Sequence, residues 1–165
     1  YREEKLPNGV VHGNLVPQNF LFRGGKVVGV LNFDSICSGK FIADLANMVN
    51  TFCYTGEHYQ IDRFNSLLSG YQAERTLSLA EWDAFPNELR FSAFRLTIKQ
   101  LENVFFRYLD EKRRINSDYL EYFDRLRILR RERSGGMDQM LLTMATGYDY
   151  RKYQKIQVEE KAVTV

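Results

Sequence analysis

The polar residues that could share one chemical task lie in the first third of the chain. They are His12-Gly13-Asn14-Leu15-Val16-Pro17-Gln18-Asn19, then Leu31-Asn32-Phe33-Asp34, then Asp44-Leu45-Ala46. Transfer of a phosphoryl group to a hydroxyl asks mainly for positioning and charge. One arrangement that supplies this combines a carboxylate that orients the hydroxyl, an Asn five residues later that holds Mg²⁺, and a second carboxylate on the metal just beyond a hairpin. Asn14, Asn19 and Asn32 stand at that spacing. The loop must aim its first and sixth residues at one point, and the hairpin must return the chain to the same point. Two of the three positions carry an amide where a carboxylate is expected. An amide at position 14 cannot accept a proton, and a positioned general base is worth about 10²- to 10⁴-fold. An amide at position 32 offers Mg²⁺ an oxygen without the charge that hard cations prefer. Asp34, two residues further on, is the candidate substitute carboxylate.

Several elements must position these residues. Val10-Val11-His12 is a short apolar run that ends at Gly13. Phe20-Leu21-Phe22 and Lys26-Val27-Val28-Gly29-Val30-Leu31 flank Gly24-Gly25, a pair that supplies the positive φ angles of a tight hairpin turn. After Phe41 the period becomes helical. Phe41, Leu45, Met48, Val49 and Phe52 predict one amphipathic helix, and Ile61, Phe64, Leu67, Leu68 and Tyr71 predict the next. Ser78-Leu79-Ala80-Glu81 has the spacing of a capping box and opens a helix. Pro86 is expected in the first turn of another long helix, running to about Lys112. Asn116-Ser117-Asp118 caps a further helix through Tyr119, Tyr122, Phe123, Leu126 and Leu129, which Gly135-Gly136 ends. A Met-rich helix from Met137 to about Thr146 and a polar tail from Tyr148 follow.

The pattern His12-Gly13-Asn14 with Asn19, then Leu31-Asn32-Phe33-Asp34, resembles the aminoglycoside phosphotransferase family, whose motifs read H-G-D-x-x-x-x-N and I-D-F-D. Leu6-Pro7-Asn8-Gly9-Val10-Val11-His12, with Asp44-Leu45-Ala46, is similar to the homoserine kinases of that family. Leu89-Arg90-Phe91-Ser92-Ala93-Phe94-Arg95 is similar to a later helix of the same kinases. The resemblance is dense from Leu6 to Ala46 and extends to about Leu109. It implies an α+β fold, the C-terminal lobe of a protein-kinase-like structure, with a short β-hairpin core and a mostly helical bundle. It puts Asn14 at the catalytic Asp position, Asn19 at the metal-binding Asn and Asn32 at the metal-binding Asp. His12 and Asp44 fall where the family braces its catalytic loop, and His12 is read as a brace rather than a base. The implied cofactor is Mg-ATP. The family binds it between two lobes, using a Gly-rich loop and a Lys on an N-terminal lobe, and no such segment precedes Tyr1. The expectation is therefore a fragment or processed product, whose N-lobe partner is another polypeptide or has been removed.

The expected organisation is a kinase-like lobe over 1–115, additional helices over 116–147 and a tail over 148–165. The expected function is a homoserine kinase-like small-molecule phosphotransferase lobe, catalytically impaired and acting as a binding or structural subunit. The alternatives are an active kinase completed by a separate N-lobe, and a pseudokinase subunit of a larger assembly joined through a protein partner at 116–165, with RNA in that assembly as a minor option.

Composition supports a single soluble domain: 165 residues, 44% hydrophobic and 14% aromatic. The net charge of +2 is too balanced to imply a nucleic-acid or acidic-membrane partner on its own, and the sequence holds no run of the about 20 apolar residues that span a bilayer. Arg125, Arg127, Arg130, Arg131 and Arg133 read as a solvated helix face. Phe94, Phe105, Phe106, Tyr108, Tyr119, Tyr122 and Phe123 read as core packing. Met137, Met140 and Met144 read as cover for a small apolar groove. Cys37 and Cys53 read as reduced packing residues, in keeping with a cytoplasmic protein.

Overall fold

The computed structural model describes residues 6–56, 58–102 and 119–131. Strand β1 (Asn8–Val11) pairs antiparallel with β4 (Cys37–Lys40), with Val11 opposite Cys37. Between them, β2 (Phe20–Arg23) and β3 (Lys26–Val30) form the expected hairpin. Gly24 and Gly25 take φ of 57° and 74°, the left-handed conformation a two-residue turn requires. The register slips between Leu21 and Phe22, which leaves Val28 as the extra residue of a bulge. Short strands β5 (Tyr54–Thr55) and β6 (His58–Tyr59) make a third antiparallel pair. Both faces of the main hairpin are apolar and little covers either, so Leu21, Phe22, Val27 and Val28 remain about half exposed.

Helices form the rest of the described fold. α1 (Phe41–Phe52) buries Ile42, Leu45, Ala46 and Val49 against Phe64 and Leu68 of α2 (Ile61–Glu74) and against Phe85, Leu89 and Ala93 of α3 (Leu79–Glu102). α4 (Tyr119–Arg131) packs along α3 and contributes Leu129 to the same core. The capping box forms as its spacing predicts. The Glu81 N–H donates to Ser78 Oγ at 3.3 Å, and the Ser78 N–H donates to Glu81 Oε2 at 2.9 Å.

Pro86 does not begin a second helix; it lies inside the continuous α3. A proline there forfeits one backbone hydrogen bond, but Phe85 and Leu89 on either side are anchored in the core and hold the helix in register. The predicted continuation of this helix beyond Glu102, the 116–118 cap, the Met-rich helix and the polar tail lie outside the described residues.

Glu81 has a second role that no periodicity announces. It is fully buried and accepts from Arg75 Nη2 at 2.5 Å, while the Arg75 guanidinium stacks 4.9 Å from the centre of the Phe41 ring. The pair thereby fastens the end of α2 to the starts of α1 and α3. Glu81→Ala would remove the cap and strand the mostly covered Arg75 cation. Stability in urea denaturation is expected to fall by about 3 kcal/mol.

Three expectations about side chains need correction. Arg125 is not on a solvated face: it is 1% exposed, donates to the Asn50 carbonyl and to Glu121, and lies between the Tyr54 and Tyr122 rings. Arg127, by contrast, is exposed. Phe94 and Phe123 are about half exposed rather than core, and Cys37 is exposed on β4 rather than packed. Among the described residues, no helix is long and apolar enough to cross a membrane.

Candidate active site

The loop that follows β1 is held from below by one face of α1. Asp44, in the first turn of that helix, accepts the His12 N–H at 2.7 Å and the Gly13 N–H at 2.9 Å, one on each carboxylate oxygen. One turn on, Asn47 Nδ2 donates to the Leu15 carbonyl at 3.2 Å, and the Thr51 hydroxyl lies 3.2 Å from the same carbonyl and 2.9 Å from the Asn47 carbonyl, so the two share its single proton. Asp44, Asn47 and Thr51 fall at i, i+3 and i+7, so they form a polar stripe on an otherwise apolar helix. That stripe is the signal that could have identified Asn47 and Thr51 in the sequence.

Gly13 has φ of 73°, and a Cβ there would lie 2.6 Å from the Ser35 carbonyl oxygen. Only glycine lets the loop turn this tightly beneath the Ser35 backbone. His12 uses both ring nitrogens: Nδ1 accepts the Asn14 N–H at 3.3 Å, and Nε2 lies 3.0 Å from the Leu31 carbonyl. This arrangement requires the tautomer protonated at Nε2, which leaves no ring nitrogen available as a base. The ring also packs 4.8 Å from Phe33. His12 thus ties the loop to the exit of the hairpin.

Asn14 is 7% exposed, and its carbonyl accepts from Asn19 Nδ2 at 2.8 Å. The Asn19 carbonyl in turn accepts the Leu31 N–H at 2.8 Å, which brings the chain leaving the hairpin beside the loop. Residues 12, 14, 19, 31 and 44 therefore belong to one hydrogen-bonded unit. Asn32 follows immediately, at φ 63° and ψ 68°, a left-handed conformation that Asn and Asp tolerate better than other side chains. Asp34 is exposed on the short 3₁₀ turn Phe33–Ser35, and no described contact joins it to Asn14 or Asn19.

The donor set can be tested against Mg²⁺. Asn19 commits its Nδ2 to the loop and leaves its amide oxygen, Asn32 offers another, Asp44 has both carboxylate oxygens engaged by the His12 and Gly13 N–H groups, and Asp34 is the remaining carboxylate of this stretch. Oxygen is the right ligand type, but a Mg-nucleotide site built from one exposed carboxylate lacks the charge to hold the ion tightly. Among the described residues, no group of three or more His, Cys, Asp or Glu is placed to bind a metal. The residues present do not fit a tightly held Mg²⁺.

Beside the loop a cleft of about 590 Å³ opens between β4, the first turn of α1 and α3. Its lining includes Lys40, Asp44, Glu88, Arg95 and Lys99. Lys40 Nζ donates to Glu88 Oε1 at 2.8 Å, and Arg95 Nη2 donates to the Gly13 carbonyl at 2.7 Å. Sequence reading did not single out Lys40, Glu88 or Arg95 as site residues. Arg95 lies 82 positions from Gly13, and nothing local marks the contact.

Cys37 also lines this cleft, whereas Cys53 is fully buried. Burial pushes the Cys53 thiol from 9.0 to about 12, partly offset by the Arg63 charge. A maleimide at pH 8 is expected to label Cys37 alone in the folded chain and Cys53 only after denaturation, as peptide mapping would show. The folded state keeps the Cys53 proton where the unfolded chain releases it. This contribution to stability is complete below pH 9 and is lost as pH rises toward 12.

Comparison with known proteins gives this arrangement a context. The family model "Phosphotransferase enzyme family" matches residues 1–84. A homoserine kinase of Chelativorans sp. is 35% identical over 130 residues, covering 78% of this chain and 40% of that protein. A homoserine kinase of Nitrobacter winogradskyi is 34% identical over 136 residues, 81% of this chain and 40% of that protein. One of Methylocella silvestris is 33% identical over 126 residues. The chain thus spans about 40% of the length of the curated relatives it matches. These alignments take in more of the chain than the motifs alone reach. With the loop, hairpin and helical stripe of an α+β kinase-like fold behind them, they place the chain in the phosphotransferase enzyme family.

Proposed function

We propose that this chain is the catalytic-loop half of a homoserine kinase-like phosphotransferase, and that it binds the acceptor but transfers phosphate poorly or not at all. One observation supports the reading: Asn14 sits buried in a fully braced loop, at the position where the family resemblance puts a carboxylate base. The frame around it is intact, and what is missing is charge. In this reading Asn14 orients an acceptor hydroxyl without taking its proton, His12 and Asp44 brace the loop, and Asn19 and Asn32 are weak oxygen donors.

Homoserine, a hydroxyl-bearing amino acid, is the acceptor the relatives' names suggest. ATP is the phosphoryl donor that family membership implies for the complete protein, with its Mg²⁺ held only weakly by the amide oxygens and the single free carboxylate on this chain. The exposed apolar surface of Leu21, Phe22, Val27, Leu31 and Phe33 supports completion of the nucleotide site by polypeptide outside this chain. Arg125, now known to be buried, drops out of the basic stripe that would favour an RNA partner.

Kinase assays with the nucleotide-binding portion supplied test this directly. The expected result is turnover near background. Ordinary Mg²⁺-dependent turnover would overturn the reading in favour of an active kinase with Asn19 and Asp34 on the metal. In that case Asp34→Ala would abolish activity.

A further inference from the structure

We propose, resting on the acceptor reading above, that this chain by itself forms a nucleotide-independent binding site for a small hydroxy-α-amino acid, with Arg95 reading the carboxylate and Glu88 the ammonium group. The walls of the 590 Å³ cleft come from described elements of this chain, namely the end of β1 and the loop after it, the turn after β3, β4, the start of α1 and one face of α3. A volume of this order is usual for small-molecule sites. The acceptor site therefore needs no other lobe, unlike the nucleotide site.

The charges in the cleft are arranged for a zwitterion. The Glu88 side chain is 8% exposed and its Oε1 accepts from Lys40, while among the described residues Oε2 has no hydrogen-bond partner. A nearly buried carboxylate with one oxygen unused favours a second cationic donor. Arg95 lies seven residues on, two turns along the same helix face, about 10 Å away at the backbone. Two long side chains reaching from these positions bracket a ligand the size of one amino acid. Phe91, between them at i+3 and exposed in the cleft, offers an apolar wall to the ligand's methylenes.

Arg95 uses one guanidinium N–H on the Gly13 carbonyl, and its remaining donors suit a carboxylate. Because Gly13 precedes Asn14, a ligand gripped by Arg95 is held next to the loop tip. Neither Asn14 nor Asn32 takes part in this grip, so it survives the loss of their carboxylates. The cleft's own charges, Lys40, Arg95 and Lys99 against Asp44 and Glu88, nearly balance, so a zwitterion meets both signs while an analogue lacking either end leaves one sign unmatched.

The test is an NMR-detected titration of the 165-residue chain, without nucleotide or metal, using three probes. They are L-homoserine, 4-hydroxybutanoate, which lacks the amine, and 3-aminopropan-1-ol, which lacks the carboxylate. Saturable binding of L-homoserine is expected, with each analogue at least about 10-fold weaker. Arg95→Gln should weaken L-homoserine about 10- to 100-fold and leave 3-aminopropan-1-ol unchanged, with partial rescue by Arg95→Lys. Glu88→Gln should weaken L-homoserine and leave 4-hydroxybutanoate unchanged or tighter. A merely structural Arg95 would weaken every probe alike, and that result would overturn the assignment. So would equal affinity for all three probes, or no saturable binding of any. Since no phosphate moves in this titration, its outcome is independent of whether the complete protein catalyses transfer.

Discussion

Asn14→Asp, combined with Asn32→Asp and supplied with the nucleotide-binding portion, is expected to raise the rate of phosphoryl transfer to an amino-acid hydroxyl by about 10²- to 10⁴-fold. The loop's backbone is fixed by Asp44, Asn47 and Arg95, and no described hydrogen bond joins these residues to the position-14 side chain. Asp is nearly isosteric with Asn, and at position 32 it tolerates the same left-handed backbone. Position 14 is buried, so the new charge there should also lower the melting temperature of the isolated chain. Gain of rate with loss of stability is the signature of a disarmed site being rearmed. A double variant with background turnover and an intact fold would mean that the loop has lost more than two charges.

Arg125→Ala is the substitution expected to cost most in stability, on the order of 3–5 kcal/mol by urea denaturation. Its guanidinium is the means by which α4 is held to α1. It donates to the Asn50 carbonyl at the end of α1, pairs with Glu121 one turn back on α4, and sits 4.7 Å from the centre of the Tyr54 ring and 4.8 Å from that of Tyr122. Truncation leaves a cavity against two aromatic rings and deprives Glu121 of its partner. Arg127→Ala, two residues away and exposed, should change stability by less than about 0.5 kcal/mol. Similar losses for the two variants would contradict the assignment of Arg125 as the anchor.

What the sequence reveals about this fold is what local chemistry decides. Gly24-Gly25 has few ways to turn other than a tight hairpin, and Ser78 with Glu81 forms a cap within one turn of chain. The apolar period of α1 and α2 selects the faces that the core buries. The contact of Asp44 with His12 was not readable from spacing, since the two lie 32 positions apart; only the family resemblance pointed to it. Contacts between distant parts of the chain were not readable. Arg125 has the composition of a surface arginine and becomes a buried one only because Asn50, 75 positions away, presents a carbonyl. Pro86 reads as a helix start because sequence cannot show that Phe85 and Leu89 are pinned in the core. Phe94, Phe123 and Cys37 read as interior by composition, yet each lies on a face that no described element covers.

Calorimetric titration with ATP, with and without Mg²⁺, of the chain and of its Asn14→Asp/Asn32→Asp variant, each with the nucleotide-binding portion supplied, tests the central claim most directly. If two missing carboxylates are what disarm this site, the double variant binds Mg-ATP at least about 10-fold more tightly than the chain with its asparagines, and the difference vanishes without Mg²⁺. Equal affinities with Mg²⁺ present would contradict the account and show that the amides at positions 14 and 32 are not what limits it.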